Sequence, residues 1–315
     1  GGGAAGGGAA GARRPPPRER MEGMDMLPQL LVNGLISGSN YAMVAAGYAM
    51  VYSILKMMNF AHGYVVMVGA YLAYAFIVWL GLNLVLSFLL SMLISGILGF
   101  GIERIGYRPL RKAARLAPLM TAIGISLLLE SIAMLIWGAD IRAYPRPIEA
   151  GYYLLGARIT PVQVSIIGAA LVFMLSMHWL INKTPLGVAV RATSDDLEMT
   201  SMMGIDSNQV ISIVFVIGAA LAAVSGILVG YEADLQPTIG LVVTIKAFAA
   251  VILGGLGSIY GAILGGLLIG FAENLGVWFI PAVWKDAIAY VILLAILLVK
   301  PSGLLGERYE AETKL

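Results

Sequence analysis

Polar chemistry in this chain is concentrated in a few places. In the stretch "VYSILKMMNFAHG" (51–63), Lys56, Asn59 and His62 stand at a junction between two oily runs, with Gly63 directly after them. A cation, an amide and an imidazole there suit an interrupted membrane helix, because non-helical backbone survives at membrane depth only where protein buries it or a watery cavity borders it. Lys56 would sit at the interface, Asn59 would cap the next helix, and His62 with Gly63 would face a pathway. The plainer alternative is a surface turn with Asn59 as N-cap. Glu130, inside "TAIGISLLLESIAMLIWG", and Glu273, inside "LLIGFAENLGVW", are isolated carboxylates in apolar sequence. Each costs at least about 2.5 kcal/mol at bilayer depth unless it faces the bundle interior or water. Glu130 is a candidate pathway group, as a substrate contact or proton relay, with an interhelical hydrogen bond as its structural alternative. Glu273 reads as interfacial, and Lys246 and the Lys285–Asp286 pair as interface anchors.

A second informative stretch is "TPLGVAVRATSDDLEMTSMMGIDSNQV" (184–210). Ser194 is placed to cap a short helix over 193–204, with Asp195 and Asp196 at the positive end of its dipole. Leu197, Met199, Met202 and Met203 supply an adaptable apolar face, and Gly204 can end the helix in the left-handed conformation. Asp206 and Gln209 have capping-box spacing for the helix that follows. A short helix with a Met/Leu face suits insertion into a groove on a partner protein. Its acidic start argues against resting on an anionic leaflet.

Several chemistries are excluded or unsupported. With no cysteine there are no disulfides, thiolate metal sites or cysteine nucleophiles. His62 and His178 are the only histidines, and no zinc-type spacing accompanies them. Ser225-Gly226 and Gly257-Ser258 superficially resemble serine nucleophile sites, but 39 glycines generate such pairs by chance. The G-x-x-x-x-G-K-[ST] phosphate loop is missing. A net charge of +2 with no basic stripe gives no reason to expect a nucleic-acid partner.

The elements that must position these groups are membrane spans. The chain is 59% hydrophobic and only 12% charged, about half the charge of a soluble domain at roughly 25%. Eight apolar segments, near 27–55, 59–80, 83–103, 118–138, 161–182, 209–230, 243–275 and 286–299, match the length a bilayer requires. The fold class is therefore an all-α polytopic membrane protein, with 25–306 as its membrane domain. Residues 1–24, rich in Gly, Ala, Pro and Arg, read as a disordered extension without the apolar core of a signal peptide. Residues 307–315 form a short tail.

Arg104, Arg108, Arg111, Lys112 and Arg115 make the 104–115 connection cytoplasmic. That puts 139–160 outside, and 183–208 and the C-terminus inside. Three apolar segments cannot join two cytoplasmic ends, so one must be broken. The 33 residues of 243–275, with Gly254, Gly255 and Gly257 at their centre, are the candidate for a broken or re-entrant helix. If the N-terminus is also cytoplasmic, the "NFAHG" junction needs the same correction. Interrupted helices in corresponding places of two halves mark transport sites.

These residues resemble the inner-membrane permease subunits of high-affinity branched-chain amino-acid ABC transporters. The resemblance is carried by "NGLISGSNYAMVAAGYAMVYSILKMMNFAHG", "ERIGYRPLR", "TAIGISLLLE", "RATSDDLEMTSMMGID", "KAFAAVILGGLGSIYGAILGGLLIG" and "KPSGLLG", six blocks in order over 27–306. It implies the shorter of two related permeases in a bacterial or archaeal cytoplasmic (inner) membrane. It further implies two cytoplasmic ATPases that bind the ATP, a periplasmic or lipid-anchored amino-acid-binding protein, and no cofactor or metal in this chain. By resemblance, Asn59, His62, Gly63, Gly254, Gly255, Gly257 and Ser258 fall near the path, and Arg191, Asp195, Asp196, Leu197, Met202, Met203, Gly204 and Ile205 in the segment pressed against the ATPases. Urea and short-amide permeases share these blocks, so the ligand stays open. A gradient-driven carrier or channel is the alternative of a different class.

Overall fold

The computed structural model describes residues 18–306 except 112, 115, 146–150 and 155, with side chains from residue 26 onward apart from 154. Of the extension expected to be disordered over 1–24, residues 18–24 are helical as the start of α1, which corrects that part of the expectation; residues 1–17 and the tail at 307–315 lie outside the described residues. Among the described residues eleven α-helices follow one another: α1 (Arg18–Leu55), α2 (His62–Val78), α3 (Leu84–Gly101), α4 (Leu116–Trp137), α5 (Pro161–Lys183), α6 (Pro185–Asp195), α7 (Leu197–Met202), α8 (Ser207–Glu232), α9 (Ile239–Gly254), α10 (Ile259–Gly276) and α11 (Lys285–Val299). A π-helical turn over Ile102–Tyr107 prolongs α3. A small antiparallel hairpin, β1 (Tyr152–Leu154) with β2 (Ala157–Ile159), interrupts the α4–α5 connection. It is the one departure from an all-helical chain among the described residues.

Six helical stretches are long and apolar enough to cross a bilayer, α1 is longer than any of them, and α2 and α9 are shorter at 17 and 16 residues. At about 1.5 Å per residue these two rise only about 25 Å each. Each of the two short helices borders an interruption.

The two ends of the bundle can be told apart by their contacts. At one end Arg111 donates to Asn208, Ser194 to the Ser53 carbonyl, and the backbone of Leu304 and Leu305 to the end of α9. This gathers 104–111, 183–208 and 300–306 on one side, as the Lys/Arg rule requires of the cytoplasmic face. At the other end Gln29 bonds Arg158 and Arg142 pairs with Leu235. The start of α1 therefore lies outside. The conditional expectation of a cytoplasmic N-terminus is corrected: α1 runs inward, α2 outward, and no re-entry is needed for parity. In the second half, the 243–275 segment is split into α9 and α10, so four crossings return the chain to the cytoplasm.

Small residues permit this packing. Helix α10 uses two faces: Gly261 and Gly265 meet the backbone of α9, while Gly266 and Gly270 meet α1 at Ala42 and Gly38. A Cβ at any of the four would collide with backbone atoms, the close approach that membrane bundles rely on in place of a hydrophobic driving force. The most enclosed helices are α1, α2, α8 and α9, whereas the spanning windows of α4, α5 and α11 are only 22%, 28% and 6% buried. These outer helices are left for lipid or partner subunits.

Candidate translocation and coupling site

The first interruption follows α1. Lys56 takes a left-handed conformation (φ 52°) and lies exposed, closing α1 through its N–H to the Tyr52 carbonyl at 2.8 Å. The chain then turns back into the bundle. Asn59 does not cap α2; Ala61 occupies that position without a side-chain bond. The Asn59 amide points inward instead, and its oxygen accepts from the Tyr107 hydroxyl at 3.0 Å. An inward amide with a buried phenol partner satisfies a polar atom that a cap would leave near solvent.

His62 is 3% exposed, edge-on to Tyr48 with ring centroids 5.9 Å apart, and level with Gly47, more than two turns above the end of α1. Gly63 abuts α9 so closely that a Cβ would strike Thr244, whose hydroxyl donates to the Gly240 carbonyl at 2.6 Å. Glu130 is half-buried on α4 and faces the Tyr64 phenol in the first turn of α2. Asn59, His62, Gly63 and Glu130 thus gather round the start of one short helix.

The second interruption is separate from the first and lies at the cytoplasmic end. Helix α9 stops at Gly254. Gly255 (φ 116°) and Gly257 (φ 90°) turn the chain in conformations that side chains rarely adopt. Ser258 then caps α10, its hydroxyl oxygen accepting from Gly261 N–H at 3.0 Å. The carbonyls left over at the end of α9 are satisfied by the C-terminal "PSGLLG". Leu304 N–H donates to the Leu253 carbonyl at 2.9 Å and Leu305 N–H to that of Gly254 at 2.8 Å. Gly255 lies against Gly306 with no room for a Cβ.

The coupling segment differs from the expected single helix over 193–204. Thr184 caps a helix that starts earlier: its hydroxyl oxygen accepts from Gly187 N–H at 3.1 Å, with Pro185 at the first helical position. The carboxylate of Asp196 accepts from Glu198 and Met199 N–H at 2.8 and 3.0 Å, which breaks the helix and starts α7. A better cap upstream and a carboxylate one residue later therefore replace Ser194, which sits inside α6 and donates to Ser53 at 2.7 Å. Arg191 bonds the Ile181 carbonyl. Helix α6 is thereby tied to the ends of α1 and α5. Gly204 (φ 86°) ends α7 as expected, Ile205 follows half-buried, and Asp206 caps α8.

On α7, Leu197 is 38% exposed and Met202 and Met203, the latter at its C-cap, are each 81% exposed. Exposed apolar side chains of this size on one short helix have the character of a docking face. Beside α6, the helix that leads into α7, a cavity of about 270 Å³ is bordered by Arg191, Ser194 and Asp195 from α6, Ser53 from α1, and Gly257 and Ser258 from the second interruption. Two groups assigned on separate grounds therefore share one cleft.

Sequence reasoning missed a buried charge cluster. Lys246 on α9 forms ion pairs with Glu273 at 2.9 Å and Asp286 at 2.7 Å. Tyr41 on α1 donates to Glu273 and accepts from Lys246, both at 2.8 Å. Glu273 is fully buried and Lys246 is 5% exposed, so both face the bundle interior, with Glu273 within one turn of the end of α10. Lys285 likewise turns inward and donates to Asn274 at 3.1 Å. The usable signal was that one apolar segment, 243–275, carries a lone cation and a lone carboxylate; such a pair is buried most cheaply together.

The family profile described as "Branched-chain amino acid transport system / permease component" matches residues 30–297. The high-affinity branched-chain amino acid transport system permease protein BraD of Pseudomonas aeruginosa is 42% identical over 292 residues, 88% of this chain and 95% of that protein. The corresponding permease protein LivH of Escherichia coli is 39% identical over 293 residues, again 88% and 95%. Among solved structures, PsaBC from Streptococcus pneumoniae in complex with Fab aligns with a TM-score of 0.52 and 15% identity, over 90% of this chain and 97% of that one; it speaks to the fold alone. A family profile that spans the bundle from α1 to α11, and relatives matched over almost their whole length, establish that this chain belongs to the permease components of branched-chain amino acid transport systems.

Proposed function

We propose that this chain forms half of a path for branched-chain, hydrophobic amino acids across the inner membrane, with a second homologous permease as the other half. Two cytoplasmic ATPases grip α7, and an extracytoplasmic binding protein delivers the ligand. The single observation that carries this reading is the shared cleft. Helix α6 borders the Gly257–Ser258 turn and is tied to the ends of α1 and α5. A push on α7 then reaches the interrupted helix α9 and the end of α1 together. Helix α9 in turn packs against Gly63 at the start of α2, where Asn59, His62 and Glu130 gather. Movement in this chain of contacts would open and close the path, with His62 as a polar group at its wall.

The test is uptake of labelled leucine into liposomes holding the two permeases, the ATPases and the binding protein. ATP-dependent leucine uptake by the whole assembly, and none by this chain alone, is expected. Uptake by the purified chain under a proton gradient, lost in Glu130→Gln, would replace this reading with a gradient-driven carrier. Uptake of urea or acetamide in preference to leucine would replace the substrate.

A further inference from the structure

Two cavities on the outer surface of the bundle join end to end between α3 and α8. The first, about 490 Å³, is lined by apolar side chains and glycine, and the second, about 380 Å³, adds Arg104, Arg108, Asp206, Asn208, Gln209 and Ser212 to an otherwise apolar wall; Phe100 and Val216 border both. Along α3, its π-helical extension and the 3-10 turn that begins at Arg108, the wall is a single stripe: Leu89, Leu93, Ile97, Phe100, Arg104 and Arg108. Steps of four, four, three, four and four residues keep these positions on one helix face. Leu89, Leu93 and Ile97 are each about 60% exposed, at 58%, 61% and 62%, so nothing among the described residues covers them.

The two ends of the groove differ in charge. From Leu89 to Phe100 the stripe is apolar over eleven helical steps, about 17 Å at 1.5 Å per residue. One leaflet of hydrocarbon is about 15 Å deep. The apolar part therefore spans one leaflet and ends where Arg104 and Arg108 begin, on the cytoplasmic side. The neighbouring Arg111 is occupied, since it pairs with fully buried Glu103, which also accepts from Ser212 at 2.6 Å. Arg104 and Arg108 have no ion-pair partner among the described residues. Asp206 is the one acid in the lining, and its carboxylate already accepts from Asn208 and Gln209 N–H at the start of α8. Two cations and one acid leave a net charge of +1, with the amides of Asn208 and Gln209 as further donors.

We propose that this groove is a binding site for one anionic phospholipid of the cytoplasmic leaflet. An acyl chain lies along Leu89–Phe100, and the phosphodiester sits between Arg104 and Arg108. A phosphodiester of charge −1 balances the site, and a basic recess between helices on the cytoplasmic side has the chemistry for such a headgroup. The site adjoins the start of α8, the helix that leaves α7, so an occupied groove would brace the coupling segment against the membrane.

The experiment uses the full chain, purified in detergent, delipidated and titrated with dioleoyl phosphatidylglycerol or dioleoyl phosphatidylcholine under native mass spectrometry. One phosphatidylglycerol retained per chain is expected, with phosphatidylcholine at least tenfold weaker. The double variant Arg104→Gln/Arg108→Gln should weaken phosphatidylglycerol at least tenfold and leave helicity and melting temperature unchanged. The outer-face control Arg158→Gln should bind as the parent does. Equal retention by the double variant overturns the proposal. So does phosphatidylglycerol displaced by millimolar inorganic phosphate, which would mark an anion site without an acyl groove. Because the chain has no cysteine, Leu93→Cys carries a spin label at one position. In bilayers of the whole transporter that label should be accessible to oxygen; a label shielded from oxygen would mean that a partner helix fills the groove, and the lipid assignment falls.

Discussion

The buried cluster of Tyr41, Lys246, Glu273 and Asp286 gives the sharpest test of the energetics. Replacing Lys246 with Met keeps the volume and helix propensity but leaves Glu273, fully buried, with the Tyr41 hydroxyl as its remaining partner in the cluster. Removing one partner of a buried ion pair costs about 3–5 kcal/mol, because the remaining charge has lost its compensation. Asp286 is half-exposed at 54% and recovers its hydration, so Glu273 accounts for most of that cost. Adding Glu273→Gln removes the stranded charge while its amide oxygen still accepts from Tyr41. The double variant should therefore be more stable than Lys246→Met alone.

The expected recovery is about 2 kcal/mol, which is about a 30-fold change in the unfolding equilibrium at 1.4 kcal/mol per decade. Reversible unfolding of the purified chain in mixed micelles, followed by far-ultraviolet circular dichroism, resolves a difference of that size. If Lys246→Met costs under about 0.5 kcal/mol, or if the double variant loses the sum of the single losses, the charges do not compensate one another. The physical account of the cluster then fails.

Three further outcomes are expected. Tyr107→Phe strands the buried Asn59 carbonyl oxygen at a cost of about 1–3 kcal/mol, visible as a lowered melting temperature, and should weaken uptake more than it weakens ATPase activity. Gly204→Val meets no neighbouring atom, so its penalty is backbone strain of about 1–2 kcal/mol at φ 86°; ATP hydrolysis by the assembled transporter should continue while leucine uptake falls, and tight coupling would count against α7 as the lever. Deleting 303–306 uncovers the carbonyls of Leu253 and Gly254, and hydrogen exchange at the end of α9 should rise at least tenfold relative to α8.

What could be read from sequence was whatever depends on composition over a membrane thickness. The 33-residue run and its glycine cluster demanded a break, and the break is at Gly254–Gly257, because a longer helix could not return the chain to the cytoplasm. Gly204 and Asp206 were equally legible, since left-handed ends and carboxylate caps are decided within a few residues. Failures came where two local options competed. Ser194 was a plausible cap, but Thr184-Pro185 and Asp196 made better ones on either side of it. Asn59 was a plausible cap too, until Tyr107, 48 residues away, offered its amide a buried partner.

The charges were the least legible, and the reason bears on the mechanism. A lone Lys or Glu in an apolar run looks like an anchor at the water interface, because sequence shows its cost and hides its partner. Lys246, Glu273 and Asp286 come from three helices, and Tyr41 from a fourth, so only the assembled bundle makes burial affordable. That places a rigid electrostatic clasp on α9, α10, α11 and α1. The Gly254–Ser258 end of the same α9–α10 hairpin carries no ion pair and borders an open cleft beside α6. If α6 is pushed as proposed, a hairpin clamped part-way along and open at its cytoplasmic turn would pivot rather than translate. Pivoting about the clasp would displace the loose turn most, and Gly63, packed on the other end of α9, in the opposite sense. On the proposed mechanism, an applied motion at the cytoplasmic end would thereby become a change at the interrupted start of α2, where His62 and Asn59 lie. Double electron–electron resonance between labels at Ser258→Cys and Val68→Cys, with and without ATP on the assembled transporter, should show a distance change that Lys246→Met diminishes. An unchanged distance would mean that α9 does not transmit the stroke.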